Sequence, residues 1–291
     1  MKRNAAPFLA FCLLAAAPLA AQSGRLILDE PGFSARSSVD WTAGSLDVEV
    51  SRQLDPATAA LPRAKADATT DIESRLPGFM ITALSPVVVD SGDTYGDLLS
   101  GDPVLFSRVT ELASGARPRE LFLSDDFTHL IARYSLPLFG PQGIASPLFP
   151  SRSAPIQRGL GWVPNRPFTG LVIYAKGELP AVGSNTMAKA RPAIFPRIFD
   201  ETMTLVMEKG MCDPESLVHW GMVGYATSLD DPVVFLRGGS EPLILAARAV
   251  FGTNATDVVI PTDGARQLLT LSENRKLLRD GRIVIIYDSL E

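Results

Sequence analysis

The sequence predicts an α+β fold of two small domains, each with a mostly antiparallel or mixed sheet packed on helices. Of 291 residues, 46% are hydrophobic and 20% are charged, which is typical of a globular protein with a core. Runs of strand length and stretches of helical periodicity occur in both halves of the chain. A segment dense in Pro, Gly and Ser separates the halves. The predicted division is a leader at 1–21, an extended arm at 22–43, a first α+β domain at 44–136, a connector at 137–167 and a second α+β domain at 168–291.

The N-terminus predicts an export signal peptide. Lys2 and Arg3 precede the apolar run 8–17, and small residues lead to a cleavage site near Ala21. An uncleaved membrane anchor is the alternative, but the run is short for a bilayer span, which needs about 20 residues. No later run is long enough to cross a bilayer. We therefore expect a periplasmic protein without a transmembrane span in its mature form.

The chain has two cysteines. Cys12 could be the modified cysteine of a lipoprotein, but it lies inside the apolar centre of the leader and follows Phe11, where a small residue is required. Cleavage leaves Cys212, which cannot form an internal disulfide. We expect a buried, inert thiol at this position, with intermolecular pairing as the alternative.

The first domain is predicted to begin with a strand and a helix. Residues 22–43 show little periodicity and indicate an extended arm, whereas 46–50 alternate strictly and predict a strand with one solvated face. Pro62 marks the first turn of the next helix, and Pro77–Gly78 ends or kinks it. Its apolar stripe recurs every fourth residue: Ala60, Ala64, Ala68, Ile72 and Leu76.

A short strand, a helix and two strands complete the first domain. The run 87–89 predicts the short strand, and the helix runs from Pro103 to a stop at Gly115. The two strands are expected at 119–123 and 127–136, on either side of a turn rich in aspartate.

The connector at 137–167 is too apolar for a free linker. We expect its apolar side chains to pack against other parts of the protein: Leu138, Phe139, Ile144, Leu148, Phe149, Ile156 and Trp162.

The second domain is predicted around the apolar run 171–175. Gly170 and Gly177 flank this run, and its β-branched residues favour a strand covered on both faces over a buried helix. The run 282–287 has the same character, so we expect both in one sheet. After the first run, regular helix is excluded through Phe199 by three prolines: Pro180, Pro192 and Pro196.

Shorter signals complete the second domain. The sequence predicts a strand within 218–226, a strand or helix at 243–250, a strand at 257–260, and helices at 262–269 and 272–279.

We predict no catalytic, cofactor-binding or metal-ligating residue. His129 and His219 lie in mixed apolar segments, where structural roles are more common than acid–base roles. The pairs Asp125–Asp126 and Asp230–Asp231 stand at turns, where adjacent side chains do not converge. Nucleophile-elbow, phosphate-loop and dinucleotide motifs are missing, and the turn at 238–240 requires only glycine geometry. Packing roles are expected for the tryptophans: Trp41, Trp162 and Trp220.

The charge balance excludes one class of partner. The net charge is −5 and no basic block occurs. Because neutralisation of phosphates supplies most nucleic-acid affinity, we expect no nucleic-acid binding.

Several stretches resemble the FlgP-type flagellar and outer-membrane proteins, a group related to the small LPP-type surface lipoproteins. Residues 168–177 are similar to a family run of an aromatic residue, Gly, apolar residues and Ala-x-Gly. Residues 191–200 are similar to the following Pro- and Asp-containing motif, and 224–226 and the Ala-rich helix at 63–76 also match. The chain departs from the family at Tyr174, where an aspartate is common, and in lacking the lipid-bearing cysteine.

This resemblance implies a non-enzymatic structural or assembly protein of the bacterial envelope. It would associate with itself, with the flagellar motor or with outer-membrane proteins, and we expect the arm and the connector to supply its contact surfaces. A periplasmic small-ligand binder with a pocket between the domains is an alternative, and a cell-envelope hydrolase is a further one.

Overall fold

The structure is a computed structural model that describes residues 24–55, 57, 62–161 and 163–289. Its first domain is built on an antiparallel sheet in the order β1-β2-β3-β5-β4. The strands are β1 (Arg25–Glu30), β2 (Phe33–Asp40), β3 (Ser45–Gln53), β4 (Glu120–Leu123) and β5 (His129–Pro137). The predicted strands at 46–50, 119–123 and 127–136 are thus confirmed, and β3 lies at the centre.

The segment 22–43, expected as an extended arm, instead contains the hairpin of β1 and β2. Strand β2 pairs with β3 along its whole length and buries Phe33, Ala35 and Ser37. Two of these three inward residues are small or polar. The apolar alternation that predicts a strand is therefore weak here, although the sheet buries the segment.

Three helices connect β3 to β4; the first packs on the sheet, and the other two pack against the first. They are α1 (Pro62–Leu84), α2 (Tyr95–Gly101) and α3 (Pro103–Ser114). Helix α1 starts in the structure at Pro62, as predicted, and continues through Pro77 to Leu84. The predicted stripe residues Ala68, Ile72 and Leu76 are buried, whereas Ala60 lies outside the described residues. Helix α3 confirms the helix predicted from Pro103.

The run 87–89 does not form the predicted strand. Only an isolated bridge joins Val88 to Thr94. The carbonyl oxygens of Val88 and Val89 instead accept hydrogen bonds from the amides of Ile194 and Phe195, at 3.1 and 2.8 Å. The second domain therefore donates the hydrogen bonds that these carbonyl oxygens would otherwise accept from a neighbouring strand.

The connector packs into the protein. Leu138 and Ile144 are buried, and the hydroxyl of Tyr95 donates to the carbonyl oxygen of Ile144 at 2.5 Å. A 3₁₀ turn at Ser146–Leu148 follows. Trp162 lies outside the described residues.

Two four-stranded sheets and a hairpin form the second domain. One sheet has the order β11-β15-β6-β12 and is entirely parallel, whereas the other has the order β10-β9-β14-β13 and is mixed. Strands β6 and β15 pair directly, which confirms that the two apolar runs share a sheet. The strands are β6 (Leu171–Tyr174), β7 (Glu178–Pro180), β8 (Met187–Lys189), β9 (Ile198–Asp200), β10 (Leu205–Met207), β11 (Gly224–Ala226), β12 (Leu243–Ala246), β13 (Ala249–Phe251), β14 (Asp257–Ile260) and β15 (Ile283–Ile286).

Four helices accompany these sheets: α4 (Pro214–Trp220), α5 (Pro232–Gly238), α6 (Thr262–Thr270) and α7 (Ser272–Arg279). The strand expected within 218–226 is therefore reduced to β11, because its first residues belong to α4. The side chain of Asp213 caps α4, and Gly221 ends it with φ of +78°. The region 243–250 resolves into two strands, β12 and part of β13.

A continuous core joins the two domains. Arg197, before β9, forms an ion pair with the fully buried Asp257 at 2.8 Å and donates a hydrogen bond to Ser91 at 2.6 Å. Trp41 of the first domain packs edge-on against Tyr225 of the second, with ring centroids 5.6 Å apart. The predicted two-domain α+β class is confirmed, and the domains share their apolar interior.

Candidate functional site

The two histidines are in different domains. His129 begins β5 and lies 2.7 Å from the hydroxyl of Thr128. His219 is exposed on α4, where its ring lies 5.2 Å from that of Trp220. The fold does not bring them together to form an acid–base pair.

One aspartate of each pair has a structural role in its turn. Asp126 accepts hydrogen bonds from Ser124 and Thr128 at 2.6 and 2.7 Å, and these bonds lower the pKa of its carboxyl to about 2. Asp231 caps α5 through the amide of Val233. Within the described ranges, no three His, Cys, Asp or Glu side chains converge as metal ligands.

Two ionisable groups of the second domain are buried, Arg237 on α5 and Cys212 before α4. Arg237 donates to the carbonyl oxygens of Trp220, Gly221 and Gly281 at 2.6–2.8 Å. Burial lowers the pKa of its guanidinium to about 9, which leaves it charged at neutral pH. Burial also raises the pKa of the Cys212 thiol to about 12, as expected for an inert cysteine.

Tryptophans serve as packing residues where the structure describes them. The indole nitrogen of Trp220 donates to the carbonyl oxygen of Asp280 at 3.0 Å, and Trp41 packs on Tyr225 as described above.

The parallel sheet has one incompletely covered face. Its inner face, with Leu171 and Ile173, belongs to the main core, whereas the outer face holds Val172 and Val284 under α5. A parallel sheet is normally covered on both faces, and among the described helices the seven-residue α5 is the one that packs on the outer face.

Large apolar side chains remain exposed on this side of the sheet. Tyr174 is 42% exposed and Ile244 is 54% exposed, while Phe235 and Leu236 on α5 are 67% and 71% exposed. Exposed apolar groups concentrated on one side of a domain are typical of an interaction surface.

The same side of the molecule has an open strand edge. The amides of Leu243 and Ala247 bond to carbonyl oxygens at Gly170 and Tyr174, so the alternate residues Ile244 and Ala246 direct their main-chain groups away from β6. Strand β12 ends the sheet order, and no described strand pairs with its free side. We call the β12 edge, Tyr174, Phe235 and Leu236 the outer surface.

The arm and the connector, expected as contact surfaces, are partly buried in the fold, while most of 151–161 is exposed. Phe33 and Leu138 are buried. The outer surface was not predicted as a site, and the run from 243 to 247 contains no charged residue. Because natural edge strands usually carry charged residues, an uncharged run did not indicate an edge.

Family models match both domains, in the order in which they occur along the chain. Residues 32–142 match the model of the N-terminal domain of Treponema pallidum Tp0624. Residues 170–289 match the model of the second domain of the same protein. Each model covers less than half of the chain, and the unmatched part between them lies within the connector and its junction with β6. Among curated proteins no match to the chain is found.

Proposed function

We propose that this chain is an exported, non-enzymatic structural protein of the bacterial envelope that assembles with copies of itself through the outer surface. The observation that supports this proposal is the open edge of β12, a strand that contains the exposed Ile244. An unpaired edge strand is a template for pairing with another chain.

The geometry of β12 suits a second copy of the same strand. In an antiparallel pair about a twofold axis, Ile244 would lie opposite Ala246 of the second copy, and the outward main-chain groups of both residues would be satisfied. Glu241 precedes the strand and Arg248 follows it. Both already form ion pairs within the chain, Glu241 with Arg166 at 2.6 Å and Arg248 with Glu201 at 3.5 Å, so the antiparallel orientation rests on the main-chain groups.

Location and partners follow from the sequence. The basic and apolar N-terminus supports export to the periplasm, and the FlgP-type resemblance supports association with the flagellar motor or the outer membrane. None of the described helices is long and apolar enough to cross a membrane.

The test is the mass of the protein by size-exclusion chromatography with light scattering, under reducing conditions and over a range of concentrations. We expect a dimer or larger species whose fraction rises with concentration. Ile244→Lys places a charge at the edge and should shift the protein toward the monomer by at least about tenfold in Kd.

Leu160→Lys is the matched control, because Leu160 is an exposed aliphatic residue, 88% exposed, in the connector and outside the outer surface. It should assemble like the unmodified protein. A monomer at every concentration, or equal assembly by the Ile244→Lys and unmodified chains, would contradict the proposal.

A further inference from the structure

A groove in the first domain lies apart from the outer surface. Its volume is about 780 Å³, within the range of small-ligand sites, and it is bounded by the end of α3, the second half of β5 and the start of the connector. Its apolar walls include Leu112, Leu136 and Pro147.

Tyr134 presents an unpartnered polar group to this groove. Its side chain is 3% exposed and lines the groove, but no described residue forms a hydrogen bond with its hydroxyl. Burial raises the pKa of the phenol; the carboxylate of Glu73 raises it further and the guanidinium of Arg117 opposes the shift. The hydroxyl therefore stays protonated and can donate a hydrogen bond to a ligand.

Strand β5 also leaves main-chain groups open along the groove. The carbonyl oxygens of Arg133 and Pro137 accept bonds from the amides of Arg119 and Ile144, so Ser135 between them directs its own groups to the same side. Pairing with β4 ends at Arg133. Pro118 lies where the next pairing bond would form, and it has no amide hydrogen to donate.

The charges of the groove favour a ligand of mixed character. Arg108 and Arg117 line it without an ion pair to any described carboxylate, so cationic charge is available in a chain whose net charge is −5. Glu111 and the C-terminal end of α3 oppose a highly charged anion such as phosphate. A ligand with a single carboxylate can pair with an arginine and carries less negative charge than phosphate. Amide groups in the same ligand can bond to the open main chain of β5.

We propose that this groove binds the C-terminal end of a short extended peptide. Arg117 pairs with the terminal carboxylate, the hydroxyl of Tyr134 donates to the ligand, and the main chain of Ser135 forms strand-type hydrogen bonds with it. This site is independent of the assembly proposed above.

The experiment is an NMR titration of the full chain with N-acetyl-Ala-Ala, followed at the amide of Ser135. We expect saturable binding, with the peptide amide N-acetyl-Ala-Ala-NH2 and inorganic phosphate each at least about tenfold weaker. Arg117→Gln should weaken binding about tenfold through the loss of a charge-assisted bond, and Tyr134→Phe should weaken it several-fold while keeping the ring in place.

Arg119→Gln is the matched control, because this arginine lies two positions along the chain and outside the groove. Its affinity should equal that of the unmodified chain. The proposal is overturned if no shift occurs at about 10 mM peptide, if phosphate or the peptide amide binds as tightly as the carboxylate, or if Arg119→Gln weakens binding as much as Arg117→Gln.

Discussion

At the scale of single residues, Arg237 shows how the second domain accommodates a buried cation. No described carboxylate pairs with it, and its donors are satisfied by carbonyl oxygens in the loop before β11 and in the loop before β15. The ring of Trp220 lies 5.0 Å from the guanidinium carbon. These contacts offset the desolvation of the charge and attach α5 to the loops at 220–221 and 281.

Replacing Arg237 by Leu should lower the free energy of unfolding by about 3 kcal/mol, because buried carbonyl oxygens would lose their donors. Urea denaturation measures the change. The control is Arg266→Leu on the exposed side of α6, which should alter the free energy by less than about 0.5 kcal/mol. Equal effects of the two substitutions would show that the carbonyl contacts contribute little.

The Cys212 thiol should be unreactive in the folded protein. Its pKa of about 12 leaves almost no thiolate at pH 8, and its side chain is buried. Alkylation with iodoacetamide, followed by mass spectrometry of the peptide that contains Cys212, should be at least about 100-fold slower in the folded chain than in urea. Rapid labelling of the folded chain would point to an accessible thiol and restore intermolecular pairing as a possibility.

At the scale of elements, the approach of α5 to β6 depends on a glycine pair. A Cβ at Gly170 would lie 2.5 Å from the carbonyl oxygen of Gly238, which is closer than real contacts allow. The hydroxyl of Thr169 donates to the same carbonyl at 2.7 Å. This contact holds the end of the helix against the start of the strand.

Gly170→Ala should therefore destabilise the protein by about 2 kcal/mol through overpacking. Gly78→Ala is the matched comparison, because it lies in the exposed interior of α1 with no atom within 4 Å of its added Cβ. There the change should stabilise by about 0.5–1 kcal/mol through helix propensity. The midpoints of thermal unfolding of the two variants measure these effects. A Gly170→Ala variant as stable as the unmodified chain would contradict the close approach of α5 to β6.

At the scale of the whole molecule, the shared core predicts that both domains unfold together. The hydrogen bond from Arg197 to Ser91 and the main-chain bonds to Val88 and Val89 cross the boundary between the domains, and the ion pair with Asp257 holds Arg197 in place within the second domain. Separating the domains would expose these buried groups, which disfavours a state with one domain folded.

We expect a single thermal transition, with the same midpoint by circular dichroism and by tryptophan fluorescence. Arg197→Leu should lower that midpoint for both probes, corresponding to about 2 kcal/mol, since it leaves the carboxylate of Asp257 unpaired while Arg197 itself is partly exposed. The matched control is Arg248→Leu, because Arg248 pairs with Glu201 at the surface. Two separate midpoints in the unmodified chain would show that the domains fold independently.

Local signals in the sequence located the elements with strong periodicity. The apolar runs of β6 and β15 and the stripe of α1 were predicted because burial follows their side-chain spacing. The short helices α4 and α5 were missed, although Asp213–Pro214 and Asp231–Pro232 are typical helix starts. A seven-residue helix contains too few turns for its periodicity to outweigh a neighbouring apolar run.

The two candidate sites could not be predicted from local patterns in the sequence. Nothing in the sequence places β12 at the end of a sheet or leaves Ser135 unpaired, since both depend on which strands become neighbours. The proposed assembly role was predicted from a resemblance, whereas the surface proposed to perform it comes from the fold.

The sequence alone was sufficient to predict the two-domain α+β class, the strand β3, the helices α1 and α3 and the presence of the two apolar runs in one sheet. The tertiary structure was needed to establish the strand order, the shared core, the burial of Arg237 and the open edge of β12. The difference lies in how far apart along the chain the interacting residues are. Side-chain periodicity records which face of an element is buried over a few residues, whereas strand order and edges follow from contacts between residues far apart in the chain.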